Sequence, residues 1–149
     1  MKLINYFIKN GYKLTQEFGK TKFAIAHPSY YPPGGHNGLD YAGKLGSAIM
    51  ACHAGKVVRK KYHKYNGNYI SLWNEDGCYA TKYLHLSKFN CELGDYIKAG
   101  DIIGFCGNTG LSEGSHCHFG LYQTNKKGYI INKDNGFKGA INPQPYFIT

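Results

Sequence analysis

Glycine recurs along this chain at short intervals and restricts what the chain can fold into. There are 20 glycines among 149 residues, about twice the usual share of ~7%, and they stand among 14 tyrosines and 8 phenylalanines. Glycine supplies the positive φ angles of tight turns, and aromatic rings pack well on pleated surfaces. The pattern therefore favours short strands joined by tight turns, and it predicts an all-β fold over a helical one.

The order of these segments predicts how the strands are arranged. Residues 57–62 and 69–73 are strand candidates around an Asn66-Gly67 turn, and further candidates follow at 78–85, 102–106 and 116–122. Residues 12–19 predict an earlier short strand, and residues 29–36 hold two prolines and two glycines that exclude helix and strand interiors. We expect antiparallel sheets that form an open barrel or sandwich, preceded by a long N-terminal loop.

Length and composition predict one domain over residues 1–149. Hydrophobic residues make up 42% and charged residues 18% of the 149, values typical of a globular protein and not of a disordered one. No apolar run reaches the ~18–20 residues of a membrane span, and residues 1–9 do not resemble a secretory signal. We expect a monomer made in the cytoplasm. The five cysteines form no CxxC pair, which predicts reduced thiols and no disulfide framework.

The basic charge indicates which partners the chain can have. Lysine and arginine total 18 against 9 acidic residues, which gives a net charge of +9 and draws the protein towards polyanions such as nucleic acid, anionic membranes or anionic wall polymers. Arg59 is the single arginine, and base readout usually relies on arginine, so a sequence-specific DNA reader is not predicted. A solvated basic surface and electrostatic attraction to anionic cell-wall polymers both remain open.

Two short motifs place histidines where they could share a metal ion. In His36-Asn-Gly-Leu-Asp40 the Asn-Gly turn would fold the imidazole and the carboxylate towards one point, although such a pair alone is more often a surface or core feature. In His116-Cys117-His118 the two imidazoles would share a strand face. One of them could ligate a metal while the other lies beside the reacting water. Cys117 would point the opposite way, as a small buried apolar residue.

His85 adds a third element to this set. It ends a predicted strand between apolar neighbours, and alone it would be read as a core or rim histidine. Taken together, two histidines and Asp40 make a three-ligand zinc site with an open fourth position, which is the catalytic type of site. Two histidines then remain to handle protons.

Four sequence runs in this order resemble the lysostaphin/LytM-type zinc endopeptidases, which form peptidase family M23. The runs are residues 36–41, 83–87, 94–104 and 107–119, and the similarity extends from about residue 35 to 122, with residues 141–143 resembling the closing segment of the family. The resemblance implies a duplicated-hybrid-motif-like fold with a groove. It also implies a substrate, which is a peptide bond in the cross-bridge or stem peptide of bacterial peptidoglycan.

The same resemblance implies a role for each motif residue. His36, Asp40 and His118 match the metal ligands, which would hold one zinc ion per chain, and His116 and His85 match the two catalytic histidines that do not bind the metal. Tyr30 or Tyr31 would donate a hydrogen bond to the substrate oxyanion. Cys117 and Ser115 depart from the usual family residues, and neither departure removes a ligand or a proton carrier.

Two other functions remain as alternatives. One is a catalytically silent wall-binding or amidase-activating module on the same fold, and the other is a basic structural or nucleic-acid-associated β domain with incidental histidines. Because all five motif residues are present, an active enzyme is the preferred prediction. With no wall-binding module recognisable, we expect a phage lysin or virion-associated enzyme that reaches the cell wall after release.

Overall fold

The computed structural model describes residues 1–148 and is built mostly of β-strands. Its strands are β1 (Leu3–Ile4), β2 (Lys13–Gln16), β3 (Leu39–Ala42), β4 (Ala48–Met50), β5 (Gly55–His63), β6 (Gly67–Asn74), β7 (Tyr79–Leu86), β8 (Lys88–Phe89), β9 (Tyr96–Ile97), β10 (Ile102–Phe105), β11 (His116–Gln123), β12 (Ala140–Ile141) and β13 (Phe147–Ile148). The helices are α1 (Tyr6–Lys9) and α2 (Lys22–Ala26), with 3₁₀ turns at Pro28–Tyr30 and Gln144–Tyr146.

The strands form open antiparallel sheets, as the turn spacing predicts. The large sheet has the order β2-β3-β11-β7-β6-β5-β9, with β12 beside β11, and a smaller sheet has the order β4-β10-β8. The large sheet does not close into a barrel. β1 and β13 pair in parallel, so the first and last strands described are joined to each other.

The large sheet separates the core from the predicted site. Its inner face carries Ile70, Tyr83 and Phe119, each with no exposed surface, and Phe7 of α1 stacks beneath it on Tyr41. Successive side chains on a strand point to opposite faces. Residues on the opposite face are therefore those that alternate with the core residues. We call this the site face, defined by Asp40 on β3, His116 and His118 on β11, Lys82 on β7 and Arg59 on β5.

The N-terminal segment is more ordered than the expected long loop. It contains β1, α1, β2 and α2 before residues 31–38, which carry no helix or strand. Both helices are single turns fixed by their caps, because Asn5 Oδ1 accepts from the Ile8 N–H (3.2 Å) and Thr21 Oγ1 from the Ala24 N–H (3.1 Å). Helices of four or five residues are too short to give a 3.6-residue periodicity, which is why the sequence does not predict them.

Two smaller expectations concern the cysteines and membrane spans. All five cysteines lie within the described residues and are free, and Cys117 has no exposed surface. The prediction of a buried Cys117 is confirmed. Over residues 1–148, neither helix has the length and apolar character that crossing a membrane requires.

Candidate metal centre and catalytic histidines

His36, Asp40 and His118 each direct one ligand atom to a common point. The distances are 3.2 Å from His36 Nε2 to Asp40 Oδ1, 3.0 Å from Asp40 Oδ1 to His118 Nδ1, and 3.1 Å from His36 Nε2 to His118 Nδ1. Two ligands bound at ~2.0–2.1 Å to a tetrahedral ion lie about 3.3 Å apart. The three donor atoms therefore have the spacing that a small four-coordinate metal ion requires.

Strand pairing brings these three residues together. Asp40 on β3 lies directly opposite His118 on β11, although the two are far apart in the chain. His36 is held by reciprocal backbone hydrogen bonds of 2.8 Å with Gly19, and its Nδ1 lies 2.8 Å from the Glu17 carbonyl oxygen. A carbonyl only accepts, so Nδ1 carries the proton and Nε2 presents a lone pair to the cluster.

The electrostatics of the cluster favour the ligand forms of these side chains. Burial alone would raise the pKa of Asp40, but hydrogen bonds and charge from His118 and His36 outweigh it and hold that pKa well below the usual value. Burial lowers the pKa of His118, against the opposing pull of Asp40. An ionised carboxylate beside neutral imidazoles is the protonation state in which these groups bind a metal.

His116 and His85 lie beside the cluster, and each ring directs its Nδ1 to a backbone carbonyl oxygen. His116 Nδ1 is 2.8 Å from the Gly114 carbonyl oxygen, and His85 Nδ1 is 2.7 Å from that of Thr109, so both rings are protonated at Nδ1 and free at Nε2. His116 Nε2 is 3.8 Å from Asp40 Oδ1, and the ring centroids of His116 and His85 are 4.8 Å apart. Both histidines therefore offer a proton acceptor next to the ligand atoms.

The backbone of His85 is strained at this position. Its φ is +67°, which is uncommon for a residue other than glycine. Leu84 pairs with His118, while the His85 N–H leaves that ladder and donates to the Asn66 carbonyl (2.9 Å). Strain of this kind gathers at functional sites. Burial, together with repulsion from His116 and His118, lowers the pKa of His85 to about 4, so its ring is neutral at pH 7.

The two candidate tyrosines differ in position. The Tyr31 ring packs edge-on against His36, at 5.5 Å between centroids, and its hydroxyl accepts from Gln16 Nε2 (3.2 Å). Tyr30 is 46% exposed and stacks on His27. The structure therefore brings Tyr31 to the ligand cluster, and Tyr30 lies further out.

Gln16 is a site residue that the sequence analysis missed. Its Nε2 also donates to Asp40 Oδ2 (3.2 Å), the carboxylate oxygen that faces away from His118. Gln16 is the register partner of Asp40 where β2 pairs with β3. The only sequence signal was a polar residue in the short strand predicted before Gly19, and that signal does not say which strand will pair with it.

Comparison with known proteins gives the family context. Residues 34–132 match the family model described as Peptidase family M23. Lysostaphin from Staphylococcus simulans is 44% identical over 87 residues, which are 58% of this chain and 18% of lysostaphin. The peptidoglycan DD-endopeptidase ShyA from Vibrio cholerae is 34% identical over 128 residues, which are 78% of this chain and 30% of ShyA. The chain thus spans less than a third of the length of either relative.

The same likeness holds in three dimensions. The solved catalytic domain of the antimicrobial peptidase lysostaphin from Staphylococcus simulans superposes with a TM-score of 0.76 at 30% identity, and 98% of each chain is covered. The similarity therefore includes the N-terminal strands and helices as well as the segment that the family model matches.

Proposed function

Because this chain belongs to peptidase family M23, we propose that it is a zinc-dependent endopeptidase that hydrolyses peptide bonds in bacterial peptidoglycan. The observation that carries the proposal is the triangle of ligand atoms from His36, Asp40 and His118, with sides of 3.0–3.2 Å. The likeness to ShyA, a peptidoglycan DD-endopeptidase, supports the substrate class. A lytic or wall-remodelling enzyme, such as a phage lysin, is the role we propose for it.

The donor set supports zinc as the metal. Two imidazole nitrogens and one carboxylate oxygen make a set of three protein ligands, which is the number that catalytic zinc sites use. All three come from one chain, so we propose one ion per chain and a functional monomer. When bound, zinc acts as a Lewis acid on the scissile carbonyl and lowers the pKa of a bound water.

The other residues of the site supply proton transfer and charge stabilisation. His116 Nε2, which lies 3.8 Å from Asp40 Oδ1, accepts the proton of the attacking water and returns it to the leaving amine. His85 has the same tautomer and a lowered pKa, so it accepts a hydrogen bond and orients the water. Tyr31 has a hydroxyl proton available for the negative charge that develops on the carbonyl oxygen.

We propose that residues 1–149 form a single peptidase domain. The pairing of β1 with β13 and the match of 98% of the chain to one catalytic domain support this. A silent wall-binding module on the same fold remains the alternative function, and the experiment below separates the two.

The test is metal analysis and a wall-clearing assay on the same purified variants. We expect His36→Ala, Asp40→Ala and His118→Ala to lose zinc and activity together. We expect His116→Ala and His85→Ala to keep zinc and lose roughly 10²–10⁴-fold in turnover. His63→Ala, at the exposed end of β5, is the control and should keep both properties.

Three results would contradict parts of this proposal. Stoichiometric zinc in Asp40→Ala would overturn the ligand assignment. A zinc-free His116→Ala, or one with nearly full activity, would overturn the division between ligands and proton carriers. Wild-type protein that holds zinc and clears no wall preparation would indicate the silent module.

A further inference from the structure

The site face continues from the metal ligands into a row of cations. On β11, Gly120 is two residues beyond His118 and faces the same side. Gly120 lies opposite Lys82 on β7, Lys82 opposite Ser71 on β6, and Ser71 opposite Arg59 on β5. Diagonal neighbours on adjacent strands are about 7–8 Å apart, and Lys82 is the diagonal neighbour of His118. A peptide that crosses the sheet from the ligand cluster would pass over this row.

The ammonium group of Lys82 is held in place by an aromatic ring. Its Nζ lies 4.6 Å from the centroid of Tyr122, whose side chain is buried. The Tyr122 ring covers Gly120, where a Cβ atom would lie 2.9 Å from Cε2 and 3.1 Å from the hydroxyl oxygen. Because a cation over a ring face is attracted by the ring quadrupole, the charge of Lys82 is fixed close to the site.

Within the described residues, the cations of this row have no anionic partner. Among residues 1–148 the ion pairs join the site histidines to Asp40 or join Lys60 to Glu92. Burial, and then repulsion from Arg59 and Lys133, lowers the pKa of Lys82. Gathering like charges on a partly buried surface is unfavourable unless an anion binds there. The row is thus suited to receive a negative group from a ligand.

We infer that Lys82 and Arg59, with Lys133 beside them, bind a carboxylate of the peptide substrate next to the scissile bond. The inference rests on the proposed function, and it narrows the substrate to peptidoglycan peptides that carry a free carboxylate. Stem peptides carry free carboxylates, whereas the interior of a glycine or alanine cross-bridge carries none. A guanidinium binds a carboxylate through two parallel hydrogen bonds, and Arg59 is the only arginine of the chain.

The experiment uses one wall preparation, freed of phosphate polymers and divided in two. In one half the carboxylates are converted to carboxamides with carbodiimide and excess ammonia. For wild type we expect a kcat/KM on the native half that exceeds the value on the amidated half by a factor of roughly ten or more, which is the effect of a hydrogen bond to a charged group. The difference should lie mainly in KM. Lys82→Gln and Arg59→Gln should remove the difference. Lys88→Gln, an exposed residue of the small sheet, should keep it.

Equal rates on the two halves, or a difference that survives both variants, would overturn the carboxylate site. A third sample keeps its phosphate polymers, and a rate that is higher on that sample but equal on the two stripped halves would assign the row to polymer docking instead. If neither half is hydrolysed, the proposed function fails, and an NMR titration then decides the inference. N-acetyl-dialanine should shift the amides of Ser71 and Gly120, and its carboxamide should not. Equal shifts with both probes, or none with either, would overturn it.

Discussion

At the scale of single residues, one amide connects the ligand cluster to its surroundings. Gln16 Oε1 accepts from the Thr21 hydroxyl (3.0 Å), which orients the amide so that Nε2 donates to both Asp40 Oδ2 and the Tyr31 hydroxyl oxygen. A carboxylate held at Oδ2 presents only Oδ1 to the metal, so the Gln16 hydrogen bond makes Asp40 a ligand through a single oxygen.

Gln16→Leu should therefore weaken metal binding without removing a ligand. Loss of a hydrogen-bond partner outside the ligand shell lowers metal affinity by roughly 10–100-fold, and competition with a calibrated chelator measures this. Gln144→Leu, in an exposed turn, is the matched control and should bind as wild type does. Wild-type affinity in Gln16→Leu would mean that the Asp40 carboxylate is positioned by β3 alone.

Tyr31 and Tyr30 make a second pair for comparison. Since the Tyr31 oxygen accepts from Gln16, its own proton is free for substrate, and burial raises the pKa of this phenol, so the proton is retained at neutral pH. Tyr31→Phe should lower kcat by roughly 10²-fold, the effect of losing one oxyanion donor, with zinc content unchanged. Tyr30→Phe should change kcat less than twofold. Similar losses in both variants would argue for a general effect on the loop.

At the scale of elements, the loop that leads into β3 passes so close to β11 that it needs a glycine. A Cβ atom on Gly38 would lie 2.5 Å from His118 Nε2 and 2.5 Å from the Phe119 carbonyl oxygen. Gly38→Ala must therefore displace the His118 imidazole or push β3 away from β11, and we expect zinc to be lost. Gly114→Ala, where a Cβ meets nothing within 4 Å, should keep zinc. Metal analysis after dialysis compares the two, and equal zinc in both would contradict the expectation.

Local patterns predicted the long strands β5, β6, β7 and β11 but not how distant strands pair. The Asn66-Gly67 turn and the pleat at 116–118 depend on neighbouring residues, and both are found in the structure. The pairing of Asp40 with His118 joins strands far apart in the chain, and local sequence does not encode it. For the same reason the sequence did not predict Gln16, because its contact with Asp40 depends on the pairing of β2 with β3. The family motif supplied the ligand set because it lists the ligands independently of any pairing.

At the scale of the whole molecule, buried histidines make stability depend on pH. His53 is 3% exposed and is not one of the site histidines. Its Nδ1–H donates to the Ala54 carbonyl (2.8 Å), and its Nε2 accepts from the Thr81 hydroxyl (2.8 Å). Both ring nitrogens are satisfied with the ring neutral. Burial accordingly lowers the pKa of His53 to about 4, below the ordinary value of ~6.5.

This shift has a definite sign in the free energy of unfolding. Between pH ~6.5 and about 4 the unfolded chain binds a proton at His53 that the folded protein does not, so stability falls as pH falls through this window. The stabilisation from the neutral ring is fully present above pH ~6.5, the pKa in the unfolded chain, and about 3 kcal/mol of it is lost by pH 4.

His53→Gln lacks this titration. It should be less stable than wild type at pH 7, and the gap should narrow by about 3 kcal/mol by pH 4. Urea unfolding in EDTA measures both proteins without a contribution from metal release. His63→Gln, exposed on β5, should keep the wild-type dependence. A gap between wild type and His53→Gln that is the same at pH 7 and pH 4 would show that His53 does not carry this part of the acid sensitivity.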